Sequence, residues 1–180
     1  MTVIRYRCAL VAAGLALLSC DAGLAPHAAA TACPAGFVGV CGTVTFKGAL
    51  PESTDAVYVV AFPTFPRSRA DLFTFKPFPP MAGLALDSAA RAQPQFYSVP
   101  LPEGRYEWVV AAWLKQGFTV DNADSTLREA GYYRGGGDTT SNGSGIVQVS
   151  GTGVDSVDFV VDFTNMHPVS FYFPPLAARP

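Results

Sequence analysis

Few residues in this 180-residue chain can do chemistry: two histidines, four cysteines and fourteen carboxylates. His27 lies in an Ala-rich stretch, so a Ser-His-Asp or Cys-His arrangement would have to use His167. His167 precedes Pro168, and a histidine in such a turn reads as a solvated loop residue. No G-x-S-x-G, H-E-x-x-H or P-loop pattern occurs. Asp155, Asp158 and Asp162 lie on a stretch of alternating hydrophobicity. Asp158 and Asp162 share one face there, about 13 Å apart at the usual strand rise. That is too far for a retaining carboxylate pair, and solubilising an exposed face is the cheaper role. Asp121-Asn122-Ala123-Asp124-Ser125, with Glu129 following, offers oxygen ligands suited to calcium. It lacks the spacing and the glycine of an EF-hand, and Asx-rich turns form readily without metal. The expectation is no catalytic residue, no cofactor and no metal.

Cys20 invites a different chemistry, acylation. Arg5 and Arg7 form a short positive region, no acid precedes Asp21, and Cys8 to Leu18 is an apolar run of eleven residues. That suits the core of a signal peptide; spanning a bilayer about 30 Å thick takes roughly 20 apolar residues. The run ends in Leu17-Leu18-Ser19-Cys20, which resembles the bacterial lipobox. The resemblance implies cleavage after residue 19, diacylglyceryl on the sulfur of Cys20 and an acylated new N-terminus. Two or three chains on one cysteine give durable attachment, whereas one chain binds only reversibly. The rival is an ordinary signal peptide cut near Ala28-Ala29-Ala30. The expected setting is the bacterial cell envelope, with the membrane as a partner through lipid.

Residues 20–32 are Ala-rich without a hydrophobic period and read as a flexible tether. Without residues 1–19, ten basic residues stand against fourteen acidic ones, a net charge of −4. Mild acidity with no cluster of Lys or Arg argues against nucleic acid as a partner. The remainder, 33–176, is long enough for one domain with a real core. With Cys8 in the signal peptide and Cys20 carrying lipid, Cys33 and Cys41 form an even pair in an exported protein. They bracket a turn-rich stretch, and a disulfide closing so small a loop contributes roughly 2.5 kcal/mol. A two-cysteine metal site is the alternative, but no histidine or second pair accompanies it.

Downstream the apolar period is two, punctuated by turn residues, which predicts seven to eight short strands. Gly42–Lys47 puts Val44 and Phe46 on one face; Ala56–Phe62 is apolar on both, as a central strand would be. Gln95–Leu101 points Tyr97, Val99 and Leu101 inward, and Pro102-Glu103-Gly104 makes a turn. Arg105–Leu114 reads as one strand with Tyr106, Trp108, Val110, Ala112 and Leu114 on the inner face and Trp113 on the other. Residues 131–134 and 146–149 are shorter candidates, separated by a Gly/Ser/Asn-rich loop. Val154–Phe163 alternates Val157, Phe159, Val161 and Phe163 with polar residues, and Val169–Phe173 reads as a last strand. Antiparallel strands of this kind cover their apolar faces by packing as a β-sandwich.

Gly42-Thr-Val-Thr-Phe-Lys-Gly48 and Leu101-Pro-Glu-Gly-Arg-Tyr106, with Gly131-Tyr132-Tyr133 and Val157–Phe163, resemble the transthyretin-like (prealbumin-like) sandwich over residues 40–165. This fold occurs in regulatory domains beside carboxypeptidases and in bacterial lipoproteins. The resemblance implies an interaction or structural module without a reaction of its own. The departure from that pattern is a long insertion at 63–93, rich in prolines and aromatics: Phe65, Phe73, Phe75 and Phe78. Two readings are open. The rings complete the core over an open end of the sandwich, or a stiff loop presents them to an envelope protein or a glycan. Trp113 discriminates, since a glycan platform needs it exposed beside Tyr132 or Tyr133.

Overall fold

Period-two alternation gives each strand one apolar stripe that must be covered. The computed structural model describes residues 32–77, 81–135 and 140–174. Cys20, the expected signal peptide, all but the last residue of the tether, and Phe78 therefore lie outside the described residues. Along the chain run β1 (Gly39–Lys47), β2 (Thr54–Phe62), β3 (Gln95–Pro100), β4 (Gly104–Tyr106), β5 (Trp108–Lys115), β6 (Leu127–Tyr132), β7 (Val147–Val149), β8 (Phe159–Asp162) and β9 (His167–Pro168). One sheet has the order β3-β1-β8 and the other β2-β5-β6-β9, while β4 and β7 make a small third ladder. The protein is an all-β sandwich. Its ladders are antiparallel except for β1 with β8, which run parallel.

The two main sheets share a core built mostly of valine. Val40 and Val44 from one sheet face Val57 and Val109 from the other, all fully buried, with Tyr97, Trp113, Val157 and Val161 among them. Burying each such aliphatic side chain contributes about 1.5–3 kcal/mol. Tyr97 and Val99 point inward as the alternation predicts, and so do Val157, Phe159, Val161 and Phe163. Close approach shapes the first strand: a Cβ on Gly42 would lie 2.2 Å from the Val157 carbonyl oxygen. Tyr97 donates to that same carbonyl, and Tyr106 donates to the carbonyl of Pro102 four residues back, pinning the turn between them.

Cys33 and Cys41 are joined in a disulfide, with Cα atoms 5.4 Å apart. The loop is also tied to the second half of the chain, because Cys33 N–H donates to Asp155 and Cys41 N–H to the Val154 carbonyl.

Four expectations are corrected. The stretch Arg105–Leu114 is two strands: it breaks at Glu107, β4 pairing with β7 and β5 with β2 and β6. Tyr106 thus enters the sandwich core while Trp108 does not. Ala56–Phe62 is buried on both faces yet occupies a sheet edge, not its centre. That edge is blunted by the insertion, where Lys76 exchanges both main-chain bonds with Ala61 and Leu84 N–H donates to Val57. Val154–Phe163 pairs regularly only over Phe159–Asp162; Ser156 upstream has φ +62°, which interrupts an extended run. Val169–Phe173 is no strand: Val169–Tyr172 winds into one helical turn, α3, following the short turns α1 (Ser88–Arg91) and α2 (Ala123–Thr126).

Candidate functional site

The second sheet has apolar side chains on both faces, and only one face is used by the sandwich. Along β5, Val109, Ala111 and Trp113 enter the core, so Trp108, Val110, Ala112 and Leu114 stand on the outer face. From β2, Tyr58, Val60 and Phe62 join them. Phe65, Leu72, Phe73, Phe75 and Met81 of the insertion arch over this floor, whereas Leu84 and Leu86 pack against the sandwich core. Leaving Phe62, the insertion makes a turn of 3-10 helix at Ala70–Phe73, organised by Asp71, whose carboxylate accepts from the Arg67 and Ser68 N–H groups and the Ser68 hydroxyl. These bonds, the Arg67 N–H first, hold the Asp71 carboxyl below the usual range. The turn delivers Leu72, Phe73 and Phe75 onto the sheet, and Met81 follows.

The arch does not close completely. Between it and the sheet lies a cavity of about 480 Å³. Its floor is the outer face of β2 and β5, its roof Leu72, Phe73, Phe75 and Met81, and its far wall Phe118, Val120, Val169 and Tyr172. Trp108 is the hub of one side. Its ring lies 4.9 Å from Phe65, 5.2 Å from Phe62 and 5.4 Å from Tyr172, centre to centre. Such aromatic contacts add about 0.5–1.5 kcal/mol each beyond area burial. The Trp108 Nε1–H is buried and has no acceptor among the described residues.

One end of the cavity is polar. Glu129 on β6 keeps only 6% of its side chain exposed. Its Oε2 accepts from the Tyr172 hydroxyl at 2.9 Å and pairs with His167 Nδ1 at 2.6 Å. His167 stacks on Phe171, 4.2 Å between centres. Burial first, and then the charge of Glu129, push the Tyr172 hydroxyl well above its ordinary pKa. Glu129 and His167 also line a second, more polar cleft of about 290 Å³ on the neighbouring surface, with Lys47, Arg134 and Asp162.

The expected site residues therefore separate. Phe65, Phe73 and Phe75 come together, half-buried, around the outer-face compartment. They neither complete the sandwich core nor stand free as an exposed surface. Trp113 is corrected outright: it is 5% exposed, inside the sandwich, and its Nε1–H donates to Thr54 Oγ1 at 2.8 Å. Alternation assigned the two tryptophans to opposite faces properly but exchanged inner for outer. With Trp113 buried, the glycan platform loses the residue that would carry it.

His167 is likewise no solvated loop histidine, since Glu129 and Phe171 hold it. The carboxylates on the alternating stretch bind their own chain, Asp158 accepting from Thr43 N–H and Asp162 pairing with Lys47 at 2.7 Å. In the Asx-rich loop, Asn122 accepts from Thr119 N–H and Thr126, and Asp124 pairs with Arg69. Glu129 is turned to the cavity instead. Cys33, Cys41 and Asp155 cluster at metal-ligand distances, but the two sulfurs are bonded to each other and offer no thiolate.

Glu129, His167 and Tyr172 as a group were missed. They lie 38 and 43 residues apart in sequence, and no local spacing signals their meeting. A scan against protein-family models found no match, and neither a curated protein nor a solved structure matches this chain.

Proposed function

We propose that this chain is a non-enzymatic, lipid-anchored binding module of the bacterial cell envelope that holds an apolar ligand on the outer face of its second sheet. The observation that carries the binding is the 480 Å³ cavity. Small-molecule sites are concave, mostly apolar and of about 300–1,000 Å³, with a few polar groups placed to orient the occupant. This cavity has that size, an aromatic and aliphatic lining, and a single polar end. Anchoring is supported by Leu17-Leu18-Ser19-Cys20 behind an apolar run. The two-sheet sandwich suits the transthyretin-like resemblance and the non-catalytic role it implies.

Titration with a neutral apolar fluorophore such as N-phenyl-1-naphthylamine tests the binding. Saturable one-to-one binding is expected, with loss in Ala112→Phe, whose ring would occupy the cavity. Purely linear, unsaturable emission in a folded protein would overturn the reading. Intact mass of the membrane-extracted protein tests the anchor: residues 20–180 plus acyl groups are expected, and an unacylated chain beginning near Thr31 would refute it.

A further inference from the structure

Building on that compartment, we propose that its occupant is a single-chain amphiphile with a hydrogen-bond-donating head, a primary ammonium above all, received by Glu129. The cavity lining is hydrocarbon and aromatic everywhere except at the end formed by Arg128, Glu129, His167 and the Tyr172 hydroxyl. Its volume, in the lower half of the range for small-molecule sites, gives room for one hydrocarbon chain.

The head group follows from hydrogen-bond bookkeeping. A carboxylate only accepts, and its two oxygens offer about four lone-pair sites. At Glu129 both protein donors, His167 Nδ1 and the Tyr172 hydroxyl, converge on Oε2. That leaves Oε1, on the same side chain, as the oxygen a further donor can reach. An ammonium supplies the donor together with the opposite charge, and charge-assisted bonds are about twice as strong as neutral ones.

An anionic head would instead meet the Glu129 charge where little water screens it. The cations nearby are directed elsewhere. Arg128 Nη1 donates to the carbonyls of Asp124 and Leu127, Lys47 pairs with Asp162, and Arg134 lies 4.2 Å above the Tyr132 ring. Glu129 also lines the adjoining polar cleft, which gives a head group access to water while its chain lies in the apolar compartment.

The test is displacement of the neutral fluorophore by decylamine, decanol and decanoate, each below its micelle concentration. Decylamine is expected to compete at about tenfold lower concentration than decanoate, with decanol between them, since tenfold corresponds to about 1.4 kcal/mol. Within Glu129→Gln, the amine should fall to the level of the alcohol, so that the amine-to-alcohol ratio is lost. Decanoate competing as well as decylamine would overturn the head-group assignment, and so would an unchanged amine preference in folded Glu129→Gln. The wild-type amine-to-acid ratio reads the proposal without any substitution, so it stays testable if that variant does not fold. Fluorophore binding without head-group preference defeats this proposal alone. Absence of fluorophore binding defeats the compartment reading and this one with it.

Discussion

The two faces of the β2-β5-β6-β9 sheet are both apolar, yet they are covered in different ways. The inner face meets another sheet, and its seams are filled by valines: Val40, Val44, Val57, Val109 and Val161 are below 2% exposure. The outer face meets an irregular arch, and its contributors are aromatic or long-chain residues, several of them half-buried around a cavity. A strand pairs with a fixed partner spacing, so a second sheet can match it layer by layer with small β-branched side chains. A loop stiffened by Pro63, Pro66 and Pro77 has no such register. It spans the gap with large rings that touch at few points, and space remains. A close-packed face serves stability, and an incompletely packed one leaves room for the proposed ligand.

Substitution on the two faces should break that symmetry. Trp113→Ala, on the inner face, removes a buried ring and the bond to Thr54. It is expected to cost about 3–5 kcal/mol, read as a lower urea midpoint at unchanged slope. Breaking the ring that clips β1, by Cys33→Ser with Cys41→Ser, should cost about 2–3 kcal/mol by denaturant unfolding. Ligand binding should persist in the folded fraction, because the disulfide lies away from the outer face. Phe73→Ala, on the arch, should cost only about 1 kcal/mol or less, since its ring is already half-exposed to the cavity. Fluorophore affinity should fall all the same; a stability loss as large as that of Trp113→Ala would show that both faces are packed alike.

The smallest effect concerns pH. Lys47 first, and then Thr164, lower the Asp162 carboxyl from 3.8 to about 2. A depressed carboxyl favours the fold above its unfolded value, and that contribution fades as pH falls from about 4 through about 2. Carboxyl NMR titration should place the midpoint near 2, and Lys47→Met should raise it toward 3.8. Binding of the neutral fluorophore measured from pH 7 to 5 should not respond to Lys47→Met, because this pair lines the polar cleft and not the apolar compartment.

Much of the sandwich was legible in the chain because its signal is local. Alternation at Tyr97, Val99, Val157, Phe159 and Val161 identifies side chains that share a face within one strand, and all of them are buried. The Cys33 and Cys41 pair was legible for the same reason, a short loop bounded by two oxidisable residues. The helical turn at Val169–Tyr172 was not. Its alternation of Val, Phe and Phe suits a strand, but Val169 is drawn into the outer cluster and Tyr172 swings to Glu129.

Sequence by itself determined the strand periodicity, the turns and the separation of Trp108 from Trp113. Only the tertiary structure decided which tryptophan lies inside. Period two states that neighbours face opposite ways, but the direction called inward depends on which surface arrives to cover each face. The phase break at Glu107 reversed the outcome for Trp108, since Glu107 bonds to Phe62, Phe65 and Ser144 rather than continuing the ladder. The meeting of Glu129, His167 and Tyr172 was decided in the same way. Side chains so far apart in sequence become neighbours only when the sheet and the last helical turn are packed together.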